Sequence, residues 1–274
     1  MDLATVIGLL VAWGAVFGSL IIEGGKLSEL VNVPAFVLVV FGTIGATVTG
    51  TSMKTLSSIP AIIGCALKGR STDPADLIDT VVDFARTARR EGVLALEAAS
   101  QDVDNEFLRK GIMLVVDGTP SVMVREILET EVVGMQERHK LGETVFTSLG
   151  GFSPTLGIIG TVMGLINMLA RLSEPGKMGH AIAAAFIATL YGVSLANLAY
   201  LPIAGKLKAR TAEEVVCCEM IIEGVLSIQA GDNARIVETR MMAFLPPRVR
   251  KDMEGRRPLR GRDDARSGRV ERAA

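Results

Sequence analysis

Residues Thr144–Ala170 read TVFTSLGGFSPTLGIIGTVMGLINMLA, a run without one charged side chain. As a helix at ~1.5 Å per residue it exceeds the ~30 Å thickness of a bilayer's hydrocarbon core. A second uncharged run, Ala181–Gly205, follows after Arg171-Leu172-Ser173-Glu174-Pro175-Gly176-Lys177, so residues 144–205 read as a transmembrane hairpin with spans 144–170 and 181–205. Nearer the N-terminus, Leu3–Ile22 and Val33–Met53 are also uncharged and are joined through Glu23-Gly24-Gly25-Lys26. Residues 1–53 therefore read as a second hairpin, with spans 3–22 and 33–53. Pro34 suits the first turn of its helix. Only Asp2 precedes the first run, and without a basic start that run is expected to be a span rather than a cleaved signal.

The composition agrees. Of 274 residues, 49% are hydrophobic and 22% charged, and with a mean hydropathy of +0.39 the two kinds must be segregated along the chain. The predicted fold class is all-α, a polytopic membrane protein with four transmembrane helices and a helical cytoplasmic domain. A net charge of −1 excludes a basic chain that coats nucleic acid. Cys65, Cys217 and Cys218 match no metal-ligand spacing, and no metal site, cofactor or catalytic constellation is predicted.

Placing residues 54–143 and everything from Lys206 onward in the cytoplasm leaves only Lys26, Arg171 and Lys177, of 29 Lys and Arg, on the other side. The positive-inside rule therefore predicts that both termini are cytoplasmic. In the 54–143 domain, Thr72-Asp73-Pro74 resembles a helix start, and Leu77, Val81, Phe84 and Ala88 recur at helical spacing. Gly92 interrupts that helix. Others are expected over Val93 to about Ser100, over Asn105–Val116, and from Thr119-Pro120-Ser121 through Val132 into the third span. Residues 206–245 are predicted to hold a cytoplasmic helix, amphipathic from Lys206 to about Ala230. Beyond Pro246-Pro247, ten basic and five acidic residues from Arg248 to Ala274 read as a disordered basic tail (246–274) resting on anionic lipid.

The spans carry small residues at contact spacing. Pro154, Gly157, Thr161 and Gly164 share one face of the third, and Ala185, Thr189, Gly192 and Ala196 form a matching stripe on the fourth. Close packing accounts for such stripes, since small residues let backbones approach in lipid. Thr161 and Thr189 permit a second reading. Each lies nine residues, ~13 Å, from the outer end of its span, so the two hydroxyls can share one layer of an ion pathway. Neither span has an ionisable residue in its interior, and a partner would have to supply the charge that carries an ion through hydrocarbon.

Gly151–Leu165 (GFSPTLGIIGTVMGL) and Ala185–Gly192 (AFIATLYG), followed by Pro202, are similar to the third- and fourth-span signatures of the MotA and PomA family, the stator channel subunits of the flagellar motor. The resemblance implies a homopentamer around two copies of a MotB/PomB-like, single-span, peptidoglycan-binding partner in the bacterial inner membrane. That partner would provide the ion-binding aspartate, and ion flow would exert torque on the rotor protein FliG. Arg89 and Glu97 resemble the family's rotor-binding charged pair, although a solvated helix surface would carry the same charges. Pro154 and Pro202 match two prolines linked to conformational coupling. A threonine at the place of Thr161 is associated with sodium-driven members, so sodium is favoured over proton. An ExbB/TolQ-like motor subunit is the nearest alternative, but its long cytoplasmic stretch lies between the first two of three spans; a non-conducting scaffold is the other.

Overall fold

The computed structural model describes residues 3–53, 55, 57, 59, 62, 64, 74–170 and 175–256. Among them there is no strand. The helices are α1 (Leu3–Ile22), α2 (Val33–Thr49), α3 (Pro74–Glu91), α4 (Leu96–Gln101), α5 (Glu106–Val116), α6 (Ser121–Leu169), α7 (Pro175–Leu195), α8 (Leu201–Gln229), α9 (Ala234–Met242) and α10 (Pro247–Arg256). The chain divides into two compact units, one of residues 1–70 and 135–212, the other of residues 71–134 and 213–274.

The first unit holds the apolar helices. Helices containing Thr5–Ile22, Ser121–Leu169 and Met178–Gln229 are long and apolar enough to cross a membrane. With 17 residues, α2 reaches only ~25 Å at ~1.5 Å per residue. Its expected extension to Met53 does not occur. The helix closes at Gly50, whose N–H reaches back to Thr47 and Val48, and Ser52 then caps the next helical residues by accepting from the Thr55 N–H at 3.3 Å. The buried face of α2 is Ala35, Val39, Thr43 and Thr47, one residue every turn. Thr43 and Thr47 satisfy their hydroxyls on the carbonyls of Val39 and Thr43. The expected loop 171–177 is also shorter, because Pro175-Gly176-Lys177 already belongs to α7, where a proline at the first position loses no hydrogen bond.

The turn after α1 needs Gly24, whose φ is 82°. Towards the far end of the unit, Val145, Phe146, Leu149 and Ala204 bury one another, with Ile59, Ile62, Tyr200, Ile203 and Leu207 packed around them. His139 has its Nδ1 3.3 Å from the Thr211 hydroxyl.

The second unit has an apolar core of its own, built from the buried faces of its helices. Helix α3 buries Leu77, Ile78, Val81, Val82, Phe84 and Ala85, which cover slightly more of its surface than the expected stripe. Gly92, at φ 89°, ends it. Residues Thr72 and Asp73 of the expected cap lie outside the described set. Asn105 and Asn233 cap α5 and α9 by accepting from Leu108 and Ile236. Close approaches at two glycines hold α8 in the middle: a Cβ on Gly111 would meet Val225 at 3.0 Å, and one on Gly224 would meet Val81 at 2.8 Å. The pairs Lys110–Glu131, Arg125–Glu223 and Arg240–Glu223 lie at half-exposed positions. Pairs of that kind add little stability.

The expected disorder from residue 246 is contradicted at its start. Residues 247–256 form α10, fastened by Arg250, which donates from Nε to Leu245 O at 2.8 Å and from Nη2 to Ala243 O at 2.7 Å, and by Met253, which is buried. One arginine satisfies two carbonyls at the end of α9, a local exchange invisible to a composition count. Residues 257–274 are outside the described set.

Burial and the nearby carboxylate of Glu214 push the Cys218 thiol up to about 12, and burial with Glu213 and Glu214 raises Cys217 as well. Thiols react as thiolates, so at pH 8 Cys218 holds on the order of a thousandfold less reactive form than an ordinary cysteine. Maleimide labelling of the folded chain at pH 8, read by peptide mass spectrometry, is expected to spare Cys218 until denaturant is added. The sign for stability follows: the unfolded chain loses this proton first, so stability should fall as pH rises above about 9.

Candidate functional site

The site is the contact between α6 and α7, and glycine is the reason it exists. A Cβ added to Gly192 would stand 2.5 Å from Ser153 O and 3.0 Å from Gly157 Cα; one added to Gly157 would stand 2.9 Å from Ala188 O. Higher up, a Cβ on Gly164 would meet Ala185 Cβ at 2.6 Å, and one on Gly160 would meet Ala188 Cβ at 2.6 Å. The two expected stripes thus face each other directly. Ala185 and Ala196 are buried, 1% exposed each. Backbones this close leave almost no room for side chains between the helices.

Within that seam Thr161 and Thr189 meet. Their hydroxyls are hydrogen-bonded to each other. Thr161 Oγ1 also lies 3.1 Å from Gly157 O and 3.1 Å from Ala185 O, and Thr189 Oγ1 lies 3.5 Å from Gly157 O. Two hydroxyl protons are shared among four oxygens. Such a cluster has more lone pairs than donors, and it is half-buried rather than sealed. The two carbonyls also take N–H groups of their own helices, and the uncharged set of oxygens that results is of the type a hard cation takes rather than a nucleophile or a base. Gly157 and Ala185 were expected as helix-packing residues, and the structure adds that their carbonyls are the ones within reach of the two hydroxyls.

Helix α2 braces the pair from outside. A Cβ on Gly160 would meet Leu38 Cδ2 at 3.1 Å, so the layer lies five residues, ~7.5 Å, from the first residue of α2. Tyr191, two residues after Thr189 on α7, accepts from the Asn32 N–H at 3.2 Å and donates to Leu30 O, and Phe36 packs edge-on against it. That clamp ties the turn between α1 and α2 to α7. Its sequence signal was a lone tyrosine in a span, with nothing to name its partners.

Pro154 sits inside α6 without ending it. Pro202 occupies the first turn of α8, directly after a π-helical turn at Ala196–Tyr200, where the Leu201 N–H donates to Ala196 O five residues back. A proline here has no N–H and its ring crowds the carbonyl four residues earlier; widening the preceding turn relieves both. Arg89 is exposed in the last turn of α3 and Glu97 is exposed in the first turn of α4, with the Gly92 turn between them.

Two family models match the chain: the MotA/TolQ/ExbB proton channel family over residues 99–220 and the motility protein A N-terminal region over residues 6–92. Motility protein A of Bacillus subtilis (strain 168) is 37% identical over 251 residues, covering 91% of this chain and 93% of that protein. The chain belongs to the MotA/PomA family. It is similar also to chemotaxis protein PomA of Vibrio alginolyticus, 36% identical over 89% of this chain and 96% of that protein. Among solved structures, the flagellar MotAB stator complex from Bacillus subtilis and C. jejuni MotAB each match with a TM-score of 0.86, at 36% and 30% identity, over 90% of this chain and 97% of theirs. As a MotA/PomA protein the chain is a flagellar motor stator subunit in a membrane, from a family of channel subunits rather than enzymes.

The seam gives a direct expectation. Gly157→Val places a branched side chain 2.9 Å from Ala188 O, with only backbone to yield, and overpacking of this kind costs about 1–3 kcal/mol or more. Membrane levels and size-exclusion profiles should show loss of assembled protein. Val at Gly151, where an added Cβ meets nothing within 4 Å, should leave both unchanged.

Proposed function

We propose that this stator subunit conducts a cation past the Thr161–Thr189 layer in the bacterial inner membrane, in a complex with a MotB/PomB-like single-span partner that binds peptidoglycan. Five copies of the chain would surround two of the partner. The observation that carries the reading is the uncharged oxygen cluster at Thr161, Thr189, Gly157 O and Ala185 O, set in helices with no carboxylate at that depth. Oxygen ligands without a charge lower the barrier for an ion only if a neighbouring carboxylate completes the site. That the similar solved structures are MotAB complexes supports a partner of that kind. Charge placement supports both termini in the cytoplasm.

Sodium is favoured over proton. A dehydrated sodium ion needs several oxygens at once, and two hydroxyls with two carbonyls, plus the partner's aspartate, supply them; a proton needs only one carrier. Torque would pass to the rotor protein FliG through Arg89 and Glu97, exposed at the end of α3 and the start of α4, with Pro154 and Pro202 allowing α6 and α8 to bend during the cycle.

Ion flux through vesicles containing this chain should require the partner, and equal flux with and without it would overturn the conduction scheme. Thr161→Ala should reduce sodium-dependent rotation severalfold, while parent motors that turn as fast in sodium-free medium at fixed proton-motive force would overturn the choice of sodium. Charge reversal at Arg89 or Glu97 should lower torque and leave membrane assembly unchanged, with the loss sensitive to ionic strength. Reversed variants that swim like the parent would remove both residues from the rotor contact.

A further inference from the structure

A shallow depression open to solvent lies between the C-terminal end of α3 and the start of α9, within the second unit. Its charged lining is entirely arginine: Arg86, Arg89, Arg90 and Arg235, with no carboxylate. Arg86 is engaged by Asp83 at 2.7 Å. Arg89, Arg90 and Arg235 form no ion pair among the described residues, although other arginines of the same unit do, Arg125 and Arg240 both reaching Glu223. Three exposed like charges without a protein partner share one depression, and an anion there would face all three guanidinium groups at once.

Asn233 adds donors. Its Oδ1 is spent on the Ile236 N–H at 2.9 Å, which leaves its amide NH₂ at the wall of the depression. The first-turn N–H groups of α9, at Ala234 and Arg235, have no carbonyl one turn earlier in the helix to take them. These groups reinforce the arginines; the arginines carry the site.

We infer that this depression binds a small multivalent phosphate, of the diphosphate or nucleoside polyphosphate class. Guanidinium forks match phosphate oxygens two at a time, and a diphosphate, with about three negative charges near neutral pH, balances the three unpaired arginines. An acidic peptide is the poorer match, since it would bring one charge per side chain on separate stems. Binding would neutralise Arg89. On the rotor-contact reading proposed above, the ligand would therefore lower torque, but the binding itself does not rest on that reading.

The test is calorimetric titration of inorganic pyrophosphate into the full-length chain in neutral detergent at 150 mM salt. Saturable binding at one site per chain is expected, weakened at least tenfold by Arg235→Gln and by Arg90→Gln, retained in large part by Arg235→Lys, and weakened as salt rises. Arg248→Gln, outside the depression, should bind like the parent. Absence of saturable binding below about 1 mM, or binding unchanged in both Arg→Gln variants, would overturn the proposal, as would a tetra-aspartate peptide binding more tightly than pyrophosphate. If pyrophosphate binds as expected while charge reversal at Arg89 leaves torque unchanged, the anion site stands and the rotor contact falls.

Discussion

The close approach of α6 and α7 through glycine is the constraint on which the membrane part depends. In lipid there is no hydrophobic drive to pair two apolar helices, so contact must come from dispersion between closely fitted surfaces and from polar groups that meet at the seam. Gly157 and Gly192 bring the backbones to where even one added methyl would collide with a carbonyl or a Cα. That distance sets everything near it. Threonines one turn above the contact cannot avoid each other, and carbonyls that a bulkier seam would cover come within reach of their hydroxyls.

The same constraint explains why the site is made of hydroxyls and carbonyls. A carboxylate in so narrow a seam would be desolvated with no room for a counter-charge or water, a cost of several kcal/mol. Threonine can bond back to its own helix when nothing else is present, as Thr43, Thr47 and Thr49 do on α2, so a span tolerates it without any further partner. What distinguishes Thr161 from those is a second set of oxygens, from α7, at the same distance as its own helix carbonyl.

Much of this was legible before any coordinates. The four uncharged runs locate the apolar helices, and the stripes of small residues at three- and four-residue spacing put Thr161 and Thr189 on facing sides, because helical periodicity fixes which side chains share a face. Boundaries were less legible. The end of α2 at Thr49 depends on Gly50 and the Ser52 hydroxyl, residues that hydropathy scores as neutral, and α10 depends on Arg250 bonding two carbonyls that only the fold brings near. The π turn before Pro202 had a sequence cause but no unique signal, since proline in an apolar helix can also bend it or sit quietly, as Pro154 does within α6.

The two units contrast in how glycine is used. In the membrane helices glycine removes a side chain so that backbones can touch. In the second unit Gly111 and Gly224 remove one so that large side chains, Val225 and Val81, can fill the space. The difference follows from the solvent. In water, burying a valine contributes roughly 1.5–3 kcal/mol, and a glycine opposite it makes room for that gain. In hydrocarbon the same valine gains little by leaving lipid, and the seam gains more from the backbone carbonyls it brings within reach of a hydroxyl. Substituting alanine at Gly224 therefore crowds a core, whereas substituting alanine at Gly157 also pushes apart the oxygens that make the site.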